Sequence, residues 1–382
     1  MSNETNIDKE KTRQKELFGH PVGLYILFFT ELWERFSFYG MRAILTLYMT
    51  AQMSGENPGL GWNNEFAFEI YGWYGMLVYV LSIPGGILAD KFIGQKKTVL
   101  VGGLILVAGH SILAVEAPWA FFTGLILIVL GVGGLKPNIS TMVGGLYAPG
   151  DIRRDSGFTI FYIGINIGAF LASLIVGYVG ETIGWHYGFG MAGIGMLIGL
   201  LVYVFGQSYL KGIGEAPAKQ NQQNSSEEEA ASLGKLFANL MKSPFHLIVT
   251  IVLMIASVVL GFSLLEGGDR YAYTALFIFL SIAAGMMMMV YQDVNNIEKD
   301  RFIVLLLSFL IVIVFWGAFE QAGGLLNIYT KEKINRTVMG FTIPAAVFQS
   351  VNPFFIIIFG TGVASFWVWW KKKGRESSSL FK

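Results

Sequence analysis

Apolar runs of roughly 20 residues, the length needed to cross the hydrocarbon core of a bilayer, recur about ten times between Leu24 and Trp370. Between them lie short stretches rich in Gly, Pro, Asn or charge. A chain built this way spans a membrane repeatedly. The wider composition agrees, since 54% of the 382 residues are hydrophobic and only 14% charged, with a mean hydropathy of +0.56. Soluble domains average about 45–50% apolar and 25% charged. In lipid, backbone groups that water cannot reach must pair within the segment, so apolar runs of this length read as helices.

Several function classes drop out early. The net charge of +1 and the lack of a basic stripe with interleaved aromatics argue against nucleic acid. With no cysteine and with histidines only at 20, 110, 186 and 246, neither a disulfide framework nor a metal-ligand motif can be read. No cofactor is expected. An enzyme is disfavoured because no nucleophile sits beside a general base. The polar first twenty residues lack the apolar stretch of a signal peptide, which places the N-terminus in the cytoplasm.

The spans are expected near 22–50, 67–89, 98–115, 119–146, 157–180 and 186–209, then 245–265 and 271–292, then 302–329 and 339–370. This divides the chain into a cytoplasmic tail (1–21), six helices (22–210), a linker (211–243), a helix pair (244–292) and two further helices with a tail (293–382); the resemblance drawn below makes the six a bundle, the pair an insertion and the last two the start of a second bundle. The linker contains QNQQNSSEEE, whose polarity suits a solvated segment. Cytoplasmic loops carry the excess of Lys and Arg. With the N-terminus inside, twenty of the 27 basic residues fall on the cytoplasmic side and four outside. The other three, Arg35, Arg42 and Lys136, lie within helices.

Those charges are the second constraint. The first span holds Glu31, Glu34, Arg35 and Arg42. An ionised side chain at the bilayer centre costs at least ~2.5 kcal/mol, so such residues face a cavity or a partner and are functional candidates by default. Positions 31, 35, 38 and 42 fall on one helical stripe with 34 at its border, so Glu31 and Arg35 can pair within the helix. Arg42 then needs a partner from elsewhere. The plainer alternative is a structural ion pair at the membrane edge. Lys136, in GVGGLKPNIS, precedes Pro137, which removes a backbone hydrogen bond and kinks the helix. Glu320, in VFWGAFEQAGG, is the third acid at depth. Gly323 and Gly324 beyond it either form a hinge or pack closely. Three acids and three bases on helices of both halves balance by pairing across a central cavity. A carboxylate that exchanges a base for a proton would couple proton entry to ligand binding.

Six helices, a cytoplasmic linker and a second set resemble the two-bundle layout of major facilitator transporters, which bind substrate at the midplane between halves. The run Gly86, Ile87, Leu88, Ala89, Asp90, Lys91, then Gly94, Gln95, Lys96, Lys97 is similar to that superfamily's loop signature, with one residue more than usual. Asp90 is expected to pair with a base across the bundle. An ordinary positive-inside loop is the competing reading. More specifically, Glu31-Leu32-Trp33-Glu34-Arg35-Phe36-Ser37-Phe38-Tyr39-Gly40 resembles the ExxERFxxxG motif of the proton-dependent oligopeptide transporter family. FTIFYIGINIG (158–168), GLKPN, FWGAFEQ and FQSVNP resemble its smaller signatures, and the likeness runs from Phe18 onward.

The resemblance implies an all-α membrane protein of the major facilitator fold that carries di- and tripeptides with protons into a bacterial cell. It would act as a monomer in the inner membrane. Arg42 and Lys136 match the bases that receive the peptide carboxylate; Tyr39, Tyr79, Asn166 and Asn352 match pocket residues; Glu31, Glu34 and Arg35 match the proton-coupling cluster. Glu320 matches the acid whose protonation frees the binding-site arginine. For Tyr79 the alternative is a lipid-facing or packing role, and for Asn352, before Pro353, a helix-kink cap. Phe38 stands where many members carry tyrosine, which removes one hydroxyl contact to the peptide. The family's last four helices have no counterpart before KKKGRESSSLFK, so the polypeptide is expected to be incomplete or inactive alone. Other anions such as nitrate, a peptide receptor that does not transport, or an inactive remnant are the competing functions.

Overall fold

The computed structural model describes residues 15–217, 238–265 and 269–375. The tail over 1–14 and the acidic core of the expected linker, 218–237, lie outside these. The described residues form two compact units, one from those of Met1–Pro217 and Glu320–Lys382, the other from those of Ala218–Phe319.

The first unit opens with a two-residue hairpin, β1 (Glu16–Leu17) and β2 (His20–Pro21). Helix α1 (Val22–Thr50) follows directly. The second span is interrupted: α2 (Asn64–Val80), α3 (Ser82–Leu88), and a π-helical turn over Ala89–Ile93. Asn63 caps α2, its side chain accepting from the Phe66 amide at 2.8 Å. Then come α4 (Gln95–Leu113), α5 (Pro118–Gly145), α6 (Arg154–Thr182) and α7 (Trp185–Phe205). These make six spans, with α1 packed on α6 and α7, and α4 packed on α5 and α7. Among the described residues, nine helices are long and apolar enough to cross a membrane. Helix α1 has the length too, and its four ionised groups set it apart from the rest.

Pro137 inside α5 deprives the Gly133 carbonyl of its helical donor. Helix α3 leans in at that point. A Cβ on Gly85 would collide with the Gly133 carbonyl, so only glycine fits. The Asn138 amide bridges the two helices, donating to Gly134 O (2.7 Å) and Gly85 O (3.2 Å). The loop that follows turns on Gly94, whose φ of 81° is in the left-handed region. The Asp90 carboxylate accepts from Gln95 Nε2, at the start of α4, at 3.2 Å. Lys96 pairs instead with Glu215 at 3.0 Å. At the same end Arg153 donates to Glu16 (2.8 Å), Gly19 O (3.1 Å) and Asp151 (2.9 Å), and holds the Asp151 carboxyl below its ordinary range.

The second unit contains α8 (Pro244–Leu264), α9 (Asp269–Asp293) and α10 (Asn296–Phe319). Helices α8 and α9 pack as a pair. The expected boundary at 293 therefore does not coincide with the edge of this unit, since α10 falls within it.

The last two expected spans differ in detail from the sequence reading. The run over 302–329 is broken: α10 stops at Phe319, a 3₁₀ turn covers Glu320–Gly323, and α11 (Leu325–Lys333) starts after Gly324. Two adjacent glycines weaken the helix there, and side chains of α1 and α2 claim the space. The run over 339–370 becomes a helix only at Val351. Before it stand the hairpin β3 (Thr337–Val338) and β4 (Phe341–Thr342) and a 3₁₀ turn over Ala345–Ser350. Met339 (φ 50°) and Gly340 (φ 81°) form the tight hairpin turn, in which both central residues need positive φ. Helix α12 (Val351–Lys372) completes the described chain.

Candidate functional site

The ionised groups of α1 are buried, and the way α6 crosses α1 explains how. A Cβ on Gly168 would meet the Leu32 carbonyl and come within 3.1 Å of Arg35 Cβ, so the glycine lets the two backbones touch beside the charges. FTIFYIGINIG thus acts first as a packing motif, with Gly164 against Phe28 and Gly168 against Leu32. Inside that contact Arg35 Nε meets Glu31 at 3.0 Å and also pairs with Glu34. The expected pairing of Glu31 with Arg35 is present, and Glu34 joins it rather than bordering it.

Two turns along, Arg42 Nη1 meets Glu320 Oε2 at 3.1 Å. This is the partner from outside α1 that the stripe demanded. The Arg42 side chain is 6% exposed and that of Glu320 30%, so the acid is the member of the pair that solvent can reach. Tyr79 donates to the other Glu320 oxygen at 3.1 Å, and the Lys136 ammonium sits 4.1 Å from the centre of the Tyr79 ring. Tyr79 is therefore a bridge between an acid and a base. Lys136 also lies in the field of Glu34, Glu31 and Glu320. Tyr39 faces both guanidiniums, 6.0 Å from that of Arg35 and 5.6 Å from that of Arg42. The three acids and three bases expected at depth form one neighbourhood.

The two asparagines stand apart from it. Asn166 is buried and donates back to the Tyr162 carbonyl at 2.8 Å. Asn352 is exposed in the first turn of α12, ahead of Pro353, at a position where proline is tolerated. Among the described residues, no hydrogen bond joins either of them to the charged groups. Phe38 is buried and stacks on Tyr74 with ring centres 6.4 Å apart.

Several residues escaped the sequence reading. Tyr71 donates to the Glu320 carbonyl at 3.1 Å. Its spacing of eight from Tyr79 places both on one face of α2, a signal the sequence did contain. Thr46 donates to the Gly323 carbonyl at 2.7 Å, and Asn327 to the Ala43 carbonyl at 2.7 Å. A Cβ on Gly323 would fall 2.7 Å from Arg42 Nε, so close packing is the role that glycine serves. These contacts gather at the Thr50 end of α1. There too the Glu181 carboxylate accepts from the Ala346 amide at 2.6 Å, tying α6 to the 3₁₀ turn before α12.

Such a site can exchange an internal acid for an external one. A ligand carboxylate can displace Glu320 from Arg42, with Lys136 as a second cation and Tyr79 as a donor. Guanidinium suits planar, two-point recognition of a carboxylate.

Comparison with known proteins identifies the family. The model of the POT family matches residues 96–382. The peptide transporter YePEPT of Yersinia enterocolitica is 36% identical over all of this chain and 73% of its own length. A di-/tripeptide transporter of Lactococcus lactis subsp. cremoris is 37% identical over 97% of this chain and 73% of its own. Among solved structures, a mutant of peptide transporter POT in complex with alafosfalin superposes with a TM-score of 0.73 at 38% identity, over 94% of this chain and 70% of that one. A POT family transporter in complex with a thioalcohol-conjugated peptide gives 0.71 at 32% identity. With the major facilitator fold, the ExxERFxxxG motif and these likenesses together, the chain belongs to the POT family, whose members are membrane transporters and not enzymes.

Proposed function

We propose that this protein carries di- and tripeptides together with protons across a bacterial inner membrane, with its N-terminus in the cytoplasm. The observation that carries the reading is the Arg42–Glu320 ion pair at 3.1 Å, joined through Tyr79 to Lys136. While Glu320 is ionised it occupies Arg42. Protonation of Glu320 releases Arg42 to the peptide carboxylate, so peptide and proton enter the site together. The relatives named for peptide transport support the substrate class.

Alternating access fits where the contacts lie. Thr46 to Gly323, Asn327 to Ala43, and Glu181 to Ala346 join the first bundle to segments after Glu320 at the Thr50 end of α1. With the proposed orientation that end is the outer one, and the site is closed toward the outside. The buried Glu31–Glu34–Arg35 triad supplies further carboxylates for the coupling proton.

The test is uptake of labelled dialanine into liposomes reconstituted with this chain, driven by an inward proton gradient, alongside Glu320→Gln. The amide mimics the protonated acid. The variant should exchange dialanine with a flatter pH profile than the unaltered chain and fail to concentrate it. A variant that keeps the pH profile and still accumulates dialanine would remove Glu320 from the coupling step. Uptake of nitrate in place of dialanine would point to a general anion carrier.

A further inference from the structure

We propose that the Tyr74 hydroxyl is a proton-relay group that, through ordered water, joins the Glu31–Glu34–Arg35 triad to the Arg42–Glu320 pair. The proposal deepens the symport reading above and rests on it.

Along α1, Arg35 and Arg42 are seven residues apart, about 10 Å of helix rise, and Phe38 and Tyr39 fill the interval. A proton does not cross such a distance without intermediate donors and acceptors. Helix α2 supplies one opposite the gap. Tyr74 is 4% exposed, its ring stacks on Phe38 at 6.4 Å, and its charged or polar neighbours are Tyr71, Glu34, Arg42 and Arg35. It thus stands within the field of both charge clusters.

Among the described residues its hydroxyl has no hydrogen-bond partner, and neither do Glu31 Oε2, Glu34 Oε1, Arg35 Nη2 or Arg42 Nε. Five buried polar atoms of one neighbourhood share this property. Buried polar groups are, with few exceptions, satisfied by protein or by ordered water. The acids offer acceptors, the guanidiniums donors, and a tyrosine hydroxyl both. A water held among them can donate to a glutamate oxygen while accepting from Tyr74 or an arginine. In each passage Tyr74 gives its hydroxyl proton to one side and takes another from the opposite side, so it ends neutral and unchanged.

Among the described residues, the charged and titratable groups around this gap come from four elements. Glu31, Glu34, Arg35, Tyr39 and Arg42 come from α1; Tyr71 and Tyr79 from α2; Lys136 from α5; Glu320 from the 3₁₀ turn. Tyr74, also from α2, was assigned no part in holding the ligand. A packing role alone would be served equally by phenylalanine, which keeps the ring and its stack on Phe38. Tyr74→Phe is therefore the discriminating variant.

The experiment compares the unaltered chain, Tyr74→Phe and Glu34→Gln in liposomes with labelled dialanine, measuring counterflow and proton-driven accumulation. Tyr74→Phe should leave counterflow close to that of the unaltered chain and lower proton-driven accumulation by about tenfold or more, as loss of a positioned proton donor does. It should also change the solvent deuterium isotope effect on driven uptake. Accumulation and isotope effect equal to those of the unaltered chain would overturn the relay. If neither the unaltered chain nor a version extended by the family's remaining helices exchanges dialanine, it is the symport reading that fails. The relay is then read by infrared spectroscopy of the purified chain in D₂O, with the carboxyl bands assigned through Glu31→Gln and Glu34→Gln. Slower deuterium exchange at those carboxyls in Tyr74→Phe upholds the relay, and an unchanged exchange rate overturns it.

Discussion

Arg42 has two jobs that a single substitution can separate. It balances Glu320 at 3.1 Å in a buried setting, and under the proposed function it presents a planar fork to the peptide carboxylate. Lysine retains the charge and loses the fork. Charge-assisted hydrogen bonds contribute about 1.5–3 kcal/mol, so Arg42→Lys should weaken binding of a free-acid dipeptide roughly tenfold to a hundredfold. Binding of the C-terminally amidated peptide should then be equal in the two proteins. Titration calorimetry in nanodiscs reads both, and equal losses for the acid and the amide would assign Arg42 a structural part only. Tyr79 illustrates a limit of residue-level reading. It is 49% exposed, which on composition alone looks like a lipid-facing tyrosine, yet its hydroxyl and ring engage Glu320 and Lys136.

Helices in this protein meet where glycine lets backbones approach, and they part where single polar contacts hold them. Glu181, at the last turn of α6, is of the second kind: its carboxylate accepts from the Ala346 amide at 2.6 Å, beside Gly177, which packs on Ala346. Removing the acceptor leaves that amide unpaired, and a charge-assisted bond of about 1.5–3 kcal/mol corresponds to a shift of roughly tenfold or more in the balance between closed and open ends. Glu181→Ala should therefore populate longer distances between the Thr50 end of α1 and the β3–β4 hairpin. Because the chain has no cysteine, spin labels at Met53→Cys and Met339→Cys report this distance cleanly by pulsed electron resonance. Glu181→Gln, whose amide oxygen still accepts, should stay near the unaltered distribution. Identical distributions for alanine and the unaltered chain would show that other contacts close this end.

At the scale of the molecule, the basic residues predict which way the chain sits. Lys97 is exposed at the end of the helices where most Lys and Arg gather, and Asn335 is exposed near the opposite hairpin. In intact cells a membrane-impermeant thiol reagent should modify Asn335→Cys, and should modify Lys97→Cys only after permeabilisation; the reverse pattern would invert the proposed orientation. The sequence by itself determined the spans, because a bilayer demands some 20 apolar residues per helix. It also singled out the buried charges, because ions in hydrocarbon are costly enough to be conspicuous, and from the stripe it determined that Glu31 reaches Arg35 while Arg42 does not find its acid within α1. The partner itself, and the Tyr71, Tyr79 and Thr46 contacts around it, were settled only by tertiary structure, since they join residues some 240 to 280 positions apart. The break after Phe319 belongs to the same class. A glycine pair permits a helix to end but does not require it, and here the close approach of Arg42 and Tyr71 to Gly323 occupies the space a continuing side chain would need. Periodicity fixes which face a residue occupies along its own helix, whereas the choice of neighbour depends on how separate helices pack.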